Sequence, residues 1–396
     1  MVTNSVYLNK YPCNNVHYPA YNAVHIDVIN PKAPIVNPVY GYPVAQGQIY
    51  YPQVGLNSSN RVLVAPSGVD DYNNYAEYNR FGNKIAEIQH YKDGDSLIQK
   101  ISTVSPDGTS FEKLLKNSPS FKSMNILVKD KNGNTLLLKD KFYKKIDEDK
   151  VQTAVNGKVY NISGLSGDVI NVEHNGQVIH LDLNKMLVPE VKLLQLKCSP
   201  DEYKIRKEPI TAEEKEKLFN RIKKLDGDDL FRLAKCVEHI QFLDNTKIDA
   251  HFVDNGRTLL LSGKDWENSS LITKHELGHA TNHLNPKNLI SNDIMFKNLR
   301  NYERMQFEQN SNMTKGDKYF NDKFLYGNPD LDWGNDGEVI NPDNIGLLDE
   351  TFAESYNNLN TMDIIHYDDE VIPSRIVSMY KYMPRTMVEV EKLSQI

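Results

Sequence analysis

The sequence predicts an α+β protein with three segments: a disordered N-terminal arm over residues 1–70, a β-rich domain over residues 71–195 and a mixed domain over residues 196–396. Three observations support this division. Prolines and tyrosines crowd the first segment, Asn-Gly dipeptides separate short apolar runs in the second, and the third has apolar residues at helical spacing.

The composition of the whole chain excludes several classes of protein. The 396 residues carry a formal net charge of −7, which disfavours a nucleic-acid binder because phosphate neutralisation needs clustered Lys and Arg. Cys13, Cys198 and Cys236 are widely spaced, so we expect neither a disulfide framework nor a cysteine metal site. No stretch is long and apolar enough to span a membrane, and the N-terminus lacks the pattern of a signal peptide. We therefore expect a soluble protein that is cytoplasmic or secreted by a signal-independent route.

The N-terminal arm is too rich in proline to fold alone. Residues 1–66 contain eight of the eighteen prolines and no glutamate, in phrases such as NPVYGYPVAQG. Proline at this density interrupts helices and central strands. The composition favours a disordered arm, and the alternative is a secretion or docking tail that presents Tyr and Pro.

Short alternating runs in the second segment predict β-strands. Asn132-Gly133 and Asn175-Gly176 each lie between two such runs, which is the strongest local signal for a β-hairpin. A two-residue turn at Asn175-Gly176 would place His180 opposite Asn171 and His174 beside the turn. The two histidines are therefore not expected to share a metal ion.

The third segment begins with helical patterns. Thr211 and Glu214 form a capping box at the start of TAEEKEKLFNRIKKL, whose apolar residues recur at helical spacing. A second helix is predicted through LFRLAKCVEHIQFL. The two runs around Asn255-Gly256 in IDAHFVDNGRTLLLSG predict a hairpin, and a helix with two histidines follows it.

This helix, LITKHELGHATNHLNP, has two histidines four residues apart with a glutamate directly after the first. Positions four apart lie on one face of an α-helix, so His275 and His279 can direct two imidazoles at one ion. Glu276 lies about 100° further round the helix and flanks the open side of that ion, where a general base is needed. Chance would produce about 0.02 such motifs in a chain of this composition. We predict a zinc centre; the alternative is an amphipathic helix that happens to carry two histidines.

Two features limit the extent of this helix and the role of a third histidine. Asn285-Pro286 disfavours the α conformation, so the helix must end near it. His283 lies a further turn, about 6 Å, along the axis from His279. We interpret His283 as a residue at the helix C-terminus rather than as a third ligand. Gly278 costs up to about 1 kcal/mol relative to Ala, which indicates that another element approaches closely there.

We expect the third ligand from an acidic stretch further along the chain. Residues 325–373 include twelve acidic residues and no Lys or Arg. Glu350 and Glu354 share a helical face in GLLDETFAESYNNL, and a bound divalent ion would relieve their repulsion. Glu303 is another candidate for the third ligand, although Arg300 and Arg304 flank it in the sequence and could pair with it instead. Ordinary solvation of the two carboxylates is the alternative to a metal ion.

Three motifs of this segment resemble the family of the anthrax lethal factor catalytic domain and the clostridial Pro-Pro endopeptidases: HELGH, ETFAESY and MYKYMPRTMVEVEKL. The resemblance covers roughly residues 200–396. It implies a zincin-like catalytic domain of the gluzincin type with one Zn²⁺ per chain. His275, His279 and Glu350 would be the ligands. Glu276 would be the catalytic base, and Glu354 a supporting carboxylate.

One position departs from the family pattern. The family places a tyrosine seven residues before the ligand glutamate, where it donates a hydrogen bond to the oxyanion, and here that position is Asp343. Tyr319 or Tyr326 could substitute from the preceding loop.

The resemblance implies a zinc-dependent metalloendopeptidase that hydrolyses peptide bonds in a protein substrate with a metal-activated water. The substrate would bind as an extended strand along a sheet edge, and we expect no nucleic acid as a partner. Two alternatives stay open. One is a binding or adhesion protein with an inactive zincin-like domain, which the missing tyrosine favours. The other is a toxin-like effector protease that acts on a host protein.

Overall fold

A computed structural model shows an α+β protein with one large antiparallel sheet. It describes residues 60–69, 72–188, 210–243, 250–253, 257–262, 269–285, 288–309, 314, 317, 345–364 and 371–395. The predicted arm over residues 1–70 lies outside the described residues up to residue 59. Its last part, Arg61–Val69, forms the first strand, so the sheet begins before the boundary that the sequence predicts.

Eleven strands form the large sheet, and each pairs antiparallel with its neighbour in the sequence. The strands are β1 Arg61–Val69, β2 Tyr72–Tyr78, β3 Lys84–Asp93, β4 Ser96–Val104, β5 Ser110–Asn117, β6 Phe121–Lys129, β7 Thr135–Lys145, β8 Val151–Val155, β9 Lys158–Ser163, β10 Val169–His174 and β11 Gln177–Asp182. The prediction of a β-rich segment is thus confirmed as a large sheet.

Both predicted hairpins form, with different turns. Asn175 and Gly176 have φ of 50° and 76°, which is the type I′ geometry of a two-residue turn, and His180 pairs with Asn171 as expected. Asn132-Gly133 instead lies within a longer loop between β6 and β7, in which Gly133 has φ of 85°. In that loop the Asp130 carboxylate accepts hydrogen bonds from the backbone N–H groups of residues 132 and 134.

The described helices are α1 Leu183–Met186, α2 Ala212–Lys223, α3 Gly227–Cys236, α4 Ser269–Asn282, α5 Ile294–Glu308, α6 Ile345–Asn360, α7 Val371–Tyr382 and α8 Pro384–Leu393. The predicted capping box is confirmed, because Thr211 and Glu214 each bond the other's backbone N–H. The prediction of a second helix is confirmed only for the first half of the segment. It ends at Cys236, and the following residues form a strand because they pair with a neighbouring strand.

That strand belongs to a three-stranded sheet of β12 His239–Leu243, β13 Ala250–Val253 and β14 Thr258–Ser262. The order is β12-β14-β13, with β12 parallel and β13 antiparallel to β14. The predicted pairing of the two runs in IDAHFVDNGRTLLLSG is therefore confirmed, and it places β13 at an edge of the small sheet.

One face of the large sheet is covered by helices. α7 packs against β3, β4 and β5, α8 against β7, and α3 against β8 to β11. Buried side chains alternate along the strands, for example Met124, Ile126 and Val128 of β6, and they join the helices in one apolar core. The covered face also carries three buried lysines, Lys113, Lys139 and Lys141. The domain boundary near residue 195 stays a prediction, and the two segments share this buried layer.

Candidate metal centre

The centre forms where α4 and α6 cross. A Cβ added to Gly278 of α4 would lie 2.6 Å from the Cα of Ala353 of α6, so the two backbones are nearly in contact. This explains the glycine inside the helix, as the sequence predicted. α4 ends at Asn282, three residues before Asn285, which agrees with the expected helix end.

The crossing brings together the three side chains that were expected to bind one ion. His275 Nε2 lies 3.2 Å from His279 Nε2 and 3.4 Å from Glu350 Oε2. His279 Nε2 lies 3.5 Å from Glu350 Oε1. Tetrahedral coordination with bonds of about 2.1 Å requires ligand atoms about 3.4 Å apart, so the spacing fits a metal ion. His275, His279 and Glu350 are buried and could hold one.

The contacts of the two Nδ1 atoms also fit metal binding through Nε2. His275 Nδ1 lies 3.0 Å from Glu354 Oε2, and His279 Nδ1 lies 3.0 Å from Asp349 Oδ2. An ionised carboxylate can only accept a hydrogen bond, so a neutral His275 imidazole carries its proton on Nδ1, whereas His279 Nδ1 lies close to Asp349 without a hydrogen bond of good geometry. When neither Nε2 atom carries a proton, two lone pairs converge beside the Glu350 carboxylate. A metal ion relieves that repulsion.

The charges of this cluster depend strongly on one another. Burial alone would lower the pKa of His275, but hydrogen bonds to Glu350 and Glu354 outweigh burial and raise the pKa to about 9. His279 has its pKa raised as well, because Asp349 and Glu350 outweigh burial. Burial would raise the pKa of Glu350, but the two imidazoles hold it well below its usual range. Without a metal ion, the cluster therefore holds protons that the ion must displace.

Glu276, the predicted general base, follows His275 on α4. It is buried, and within the described residues its Oε2 has no hydrogen-bond partner. A buried carboxylate oxygen without a partner is costly, so such a group indicates a site where a further molecule binds. His251 of β13 lies close enough to Glu276 and Glu350 to be affected by their charges. Burial lowers the pKa of His251, while the negative charges of Glu276 and Glu350 oppose this effect.

The structure separates the other candidate ligands from this cluster. His283 Nε2 lies 3.1 Å from Asp349 Oδ2, so it contacts a carboxylate beside the centre. Glu303 of α5 accepts hydrogen bonds from the backbone N–H groups of Arg385 and Thr386, at 2.8 and 2.9 Å. Glu303 therefore caps the N-terminus of α8, and no contact joins it to the described histidines of the centre.

Sequence reasoning missed several residues that support the centre. Asp349 contacts both His279 and His283 and also accepts a hydrogen bond from Asn282 at 2.6 Å. Asn358 donates to Glu354 Oε1 at 2.9 Å. The acidic stretch without cations was the one signal that could have indicated Asp349. The amides of Asn282 and Asn358 gave no such signal, because their role depends on the crossing of two helices.

Asp343, Tyr319 and Tyr326, the positions considered for oxyanion stabilisation, lie outside the described residues. In the part of the chain that the structure describes, no helix is long and apolar enough to cross a membrane. The chain matches no protein-family model, no curated protein and no solved structure.

Proposed function

We propose that the chain is a zinc-dependent metalloendopeptidase with a zincin-like catalytic domain. The observation that supports the proposal is that His275 Nε2 and His279 Nε2 lie 3.2 Å apart and that each lies within 3.5 Å of one of the two Glu350 carboxylate oxygens. Glu276, which follows His275 on the same helix, has a buried carboxylate oxygen with no hydrogen-bond partner among the described residues. Two imidazoles and one carboxylate leave a fourth position open in a tetrahedral zinc site, as catalytic sites require.

Each residue has a distinct task in the proposed reaction. Bound zinc would supply Lewis acidity, which polarises the scissile carbonyl and acidifies water. Glu276 accepts the proton of the attacking water on its free oxygen and delivers it to the leaving amine. Glu354 holds the imidazole of His275 in the tautomer that leaves Nε2 free for the metal, and the Asp349 carboxylate lies 3.0 Å from His279 Nδ1.

The substrate would extend the small sheet. β13 lies at the edge of that sheet, and α4 packs against it, so an extended peptide paired with β13 would pass beside the histidines. Main-chain hydrogen bonds would then hold the peptide with little dependence on its side chains. The family resemblance implies the same mode of binding.

Purified full-length chain tests this proposal in two measurements. Metal analysis should find about one zinc per chain, and a diverse peptide mixture should be cleaved, with activity lost to a chelator and restored by added Zn²⁺. A chain that binds zinc but cleaves nothing would instead favour the binding protein with an inactive zincin-like domain. A chain that binds no zinc would overturn the metal centre. Cleavage restricted to one host protein would identify the toxin-like effector.

A further inference from the structure

The C-terminal turn of α6 is held by lysines from other elements. Lys113 of β5 donates to the carbonyl oxygen of Asn358 at 2.7 Å, and Lys274 of α4 donates to that of Asn360 at 2.9 Å. Lys141 of β7 approaches the second carbonyl at 3.4 Å. The last carbonyls of a helix lack partners within it and carry the negative end of its dipole. The lysines therefore fix the end of the helix that carries Glu350.

Lys113 is further connected to the metal centre by a chain of hydrogen bonds. It donates to the Tyr380 hydroxyl at 3.3 Å, and this hydroxyl donates to Asn358 Oδ1 at 3.0 Å. The same amide donates through Nδ2 to Glu354 Oε1 at 2.9 Å. The other oxygen of Glu354 accepts from His275 Nδ1 at 3.0 Å. When His275 carries a proton on Nδ1 and the Tyr380 hydroxyl donates to Asn358 Oδ1, every step has a donor and an acceptor, which favours one orientation of the amide and of the carboxylate.

A lysine at this position is costly to bury. Lys113 is 3% exposed, and in the described part of the chain its hydrogen-bond partners are two neutral oxygens. Burial lowers its pKa to about 7, helped by the positive charges of Lys274, Lys139 and Lys141. An apolar residue there would pack beside Phe111 and Leu115 without this cost, but it would remove the hydrogen bonds to the Asn358 carbonyl and the Tyr380 hydroxyl. The cost indicates a function in positioning.

We propose that Lys113 is a positioning residue of the metal centre, which fixes Asn358 and Glu354 and through them the imidazole of His275. The large sheet then contributes, through Lys113, to the positioning of a metal ligand. This inference depends on the proposed metal centre.

The test compares Lys113→Met with Lys122→Met in the full-length chain. Lys122 of β6 also links the sheet to the segment after α6, through Asp363 at 2.6 Å, but it lies outside the hydrogen-bond chain. The measurements are Zn²⁺ affinity by competition with a chromophoric chelator, the visible spectrum of the Co²⁺-loaded chain, and the melting temperature of the metal-free chain. A general loss of stability would lower only the melting temperature.

Removing a residue that hydrogen-bonds to a metal ligand typically lowers metal affinity by roughly 10 to 100-fold. Lys113 acts on His275 only through Asn358 and Glu354, so we expect Lys113→Met to lower Zn²⁺ affinity by about 3 to 10-fold. Its Co²⁺ spectrum should shift, whereas Lys122→Met should match the parent. Tyr380→Phe removes one hydroxyl from the same chain and should act in the same direction, even if Lys113→Met does not fold. Parent-like affinity and spectrum in these two variants would overturn the role of Lys113. A parent that binds neither metal would overturn the metal centre and this proposal together.

Discussion

Gly278 of α4 lies directly against Ala353 of α6. A Cβ at Gly278 would approach the Cα of Ala353 to 2.6 Å and its carbonyl oxygen to 2.9 Å. Both are backbone atoms, so no change of rotamer can relieve the contact. The absence of a side chain at one position thus sets the distance between the helix with two histidines and the helix with Glu350.

Gly278→Ala should therefore weaken metal binding. Ala favours a helix by up to about 1 kcal/mol over Gly, but the clash must push α4 and α6 apart and separate the ligands. We expect a loss of about tenfold or more in Zn²⁺ affinity, comparable to losing a supporting residue. Gly167→Ala is the matched control, because the nearest atom to its Cβ would be 3.8 Å away. Equal affinity in both variants would contradict this role of Gly278.

Glu276→Gln should separate catalysis from metal binding. The amide keeps the shape of the side chain but cannot accept the proton of water, so peptide hydrolysis should fall by at least about 10²-fold. Zinc content should stay at the parent value, because Glu276 is not among the three converging side chains. Glu213→Gln, at an exposed position on α2, controls for the loss of one carboxylate. A Glu276→Gln chain without zinc would show that Glu276 is a ligand.

Three glutamate variants should distinguish a ligand from its supports. Glu350→Ala should be purified largely without zinc, while Glu354→Ala should keep zinc with affinity or activity reduced roughly 10 to 100-fold. Glu303→Ala should keep zinc but melt at a lower temperature, because the N-terminus of α8 loses its cap, worth about 1 kcal/mol. Metal analysis and thermal melting measure both effects. A zinc-replete Glu350→Ala chain beside a zinc-free Glu303→Ala chain would reverse the assignment.

Local patterns in the sequence predicted those parts of the fold that local chemistry determines. The capping box at Thr211 and the turn at Asn175-Gly176 each depend on residues within four positions of one another. The pairing of His275 with His279 likewise follows from helical geometry alone. Such features need no knowledge of the tertiary structure.

The sequence could not predict features that depend on contacts between distant segments. The predicted helix through residues 230–243 ends early because β12 pairs with β14, and this pairing overrides helical spacing. Lys113 would be assigned to the solvent face of a strand, yet it shares the buried face of β5 with Phe111 and Leu115. Nothing in the local pattern shows that helices from the end of the chain cover that face.

Zinc binding should release protons and strengthen as the pH rises. In the metal-free chain the pKa of His275 is about 9, because Glu350 and Glu354 outweigh burial, and a protonated imidazole cannot bind zinc. The affinity should therefore increase with pH until about pH 9. The same raised pKa stabilises the metal-free chain below about pH 6.5, and this stabilisation is lost as the pH rises through about 9.

Calorimetry in buffers of different ionisation enthalpy measures the number of protons released on zinc binding. Glu354→Gln removes one of the two carboxylates that hydrogen-bond to His275, so this variant should release fewer protons at pH 8 than the parent. Proton release of zero in the parent at neutral pH would contradict the protonated metal-free cluster.

Lys113→Met should change how stability depends on pH. In the parent, the pKa of Lys113 is about 7 in the folded chain and near 10.5 when unfolded, because burial and Lys274, Lys139 and Lys141 outweigh the attraction of Asp363. The unfolded chain then binds more protons between these values, so Lys113 makes the free energy of unfolding rise with pH across this window. At about 1.4 kcal/mol per pH unit, the full change is at most about 5 kcal/mol. The variant lacks this contribution, so its stability relative to the parent should fall as the pH rises from 7 to 10. Denaturant unfolding of the metal-free chains measures the difference, with Lys122→Met as the control for losing one lysine from the sheet. Stability curves that stay parallel from pH 7 to 10 would show that Lys113 keeps its proton in the core.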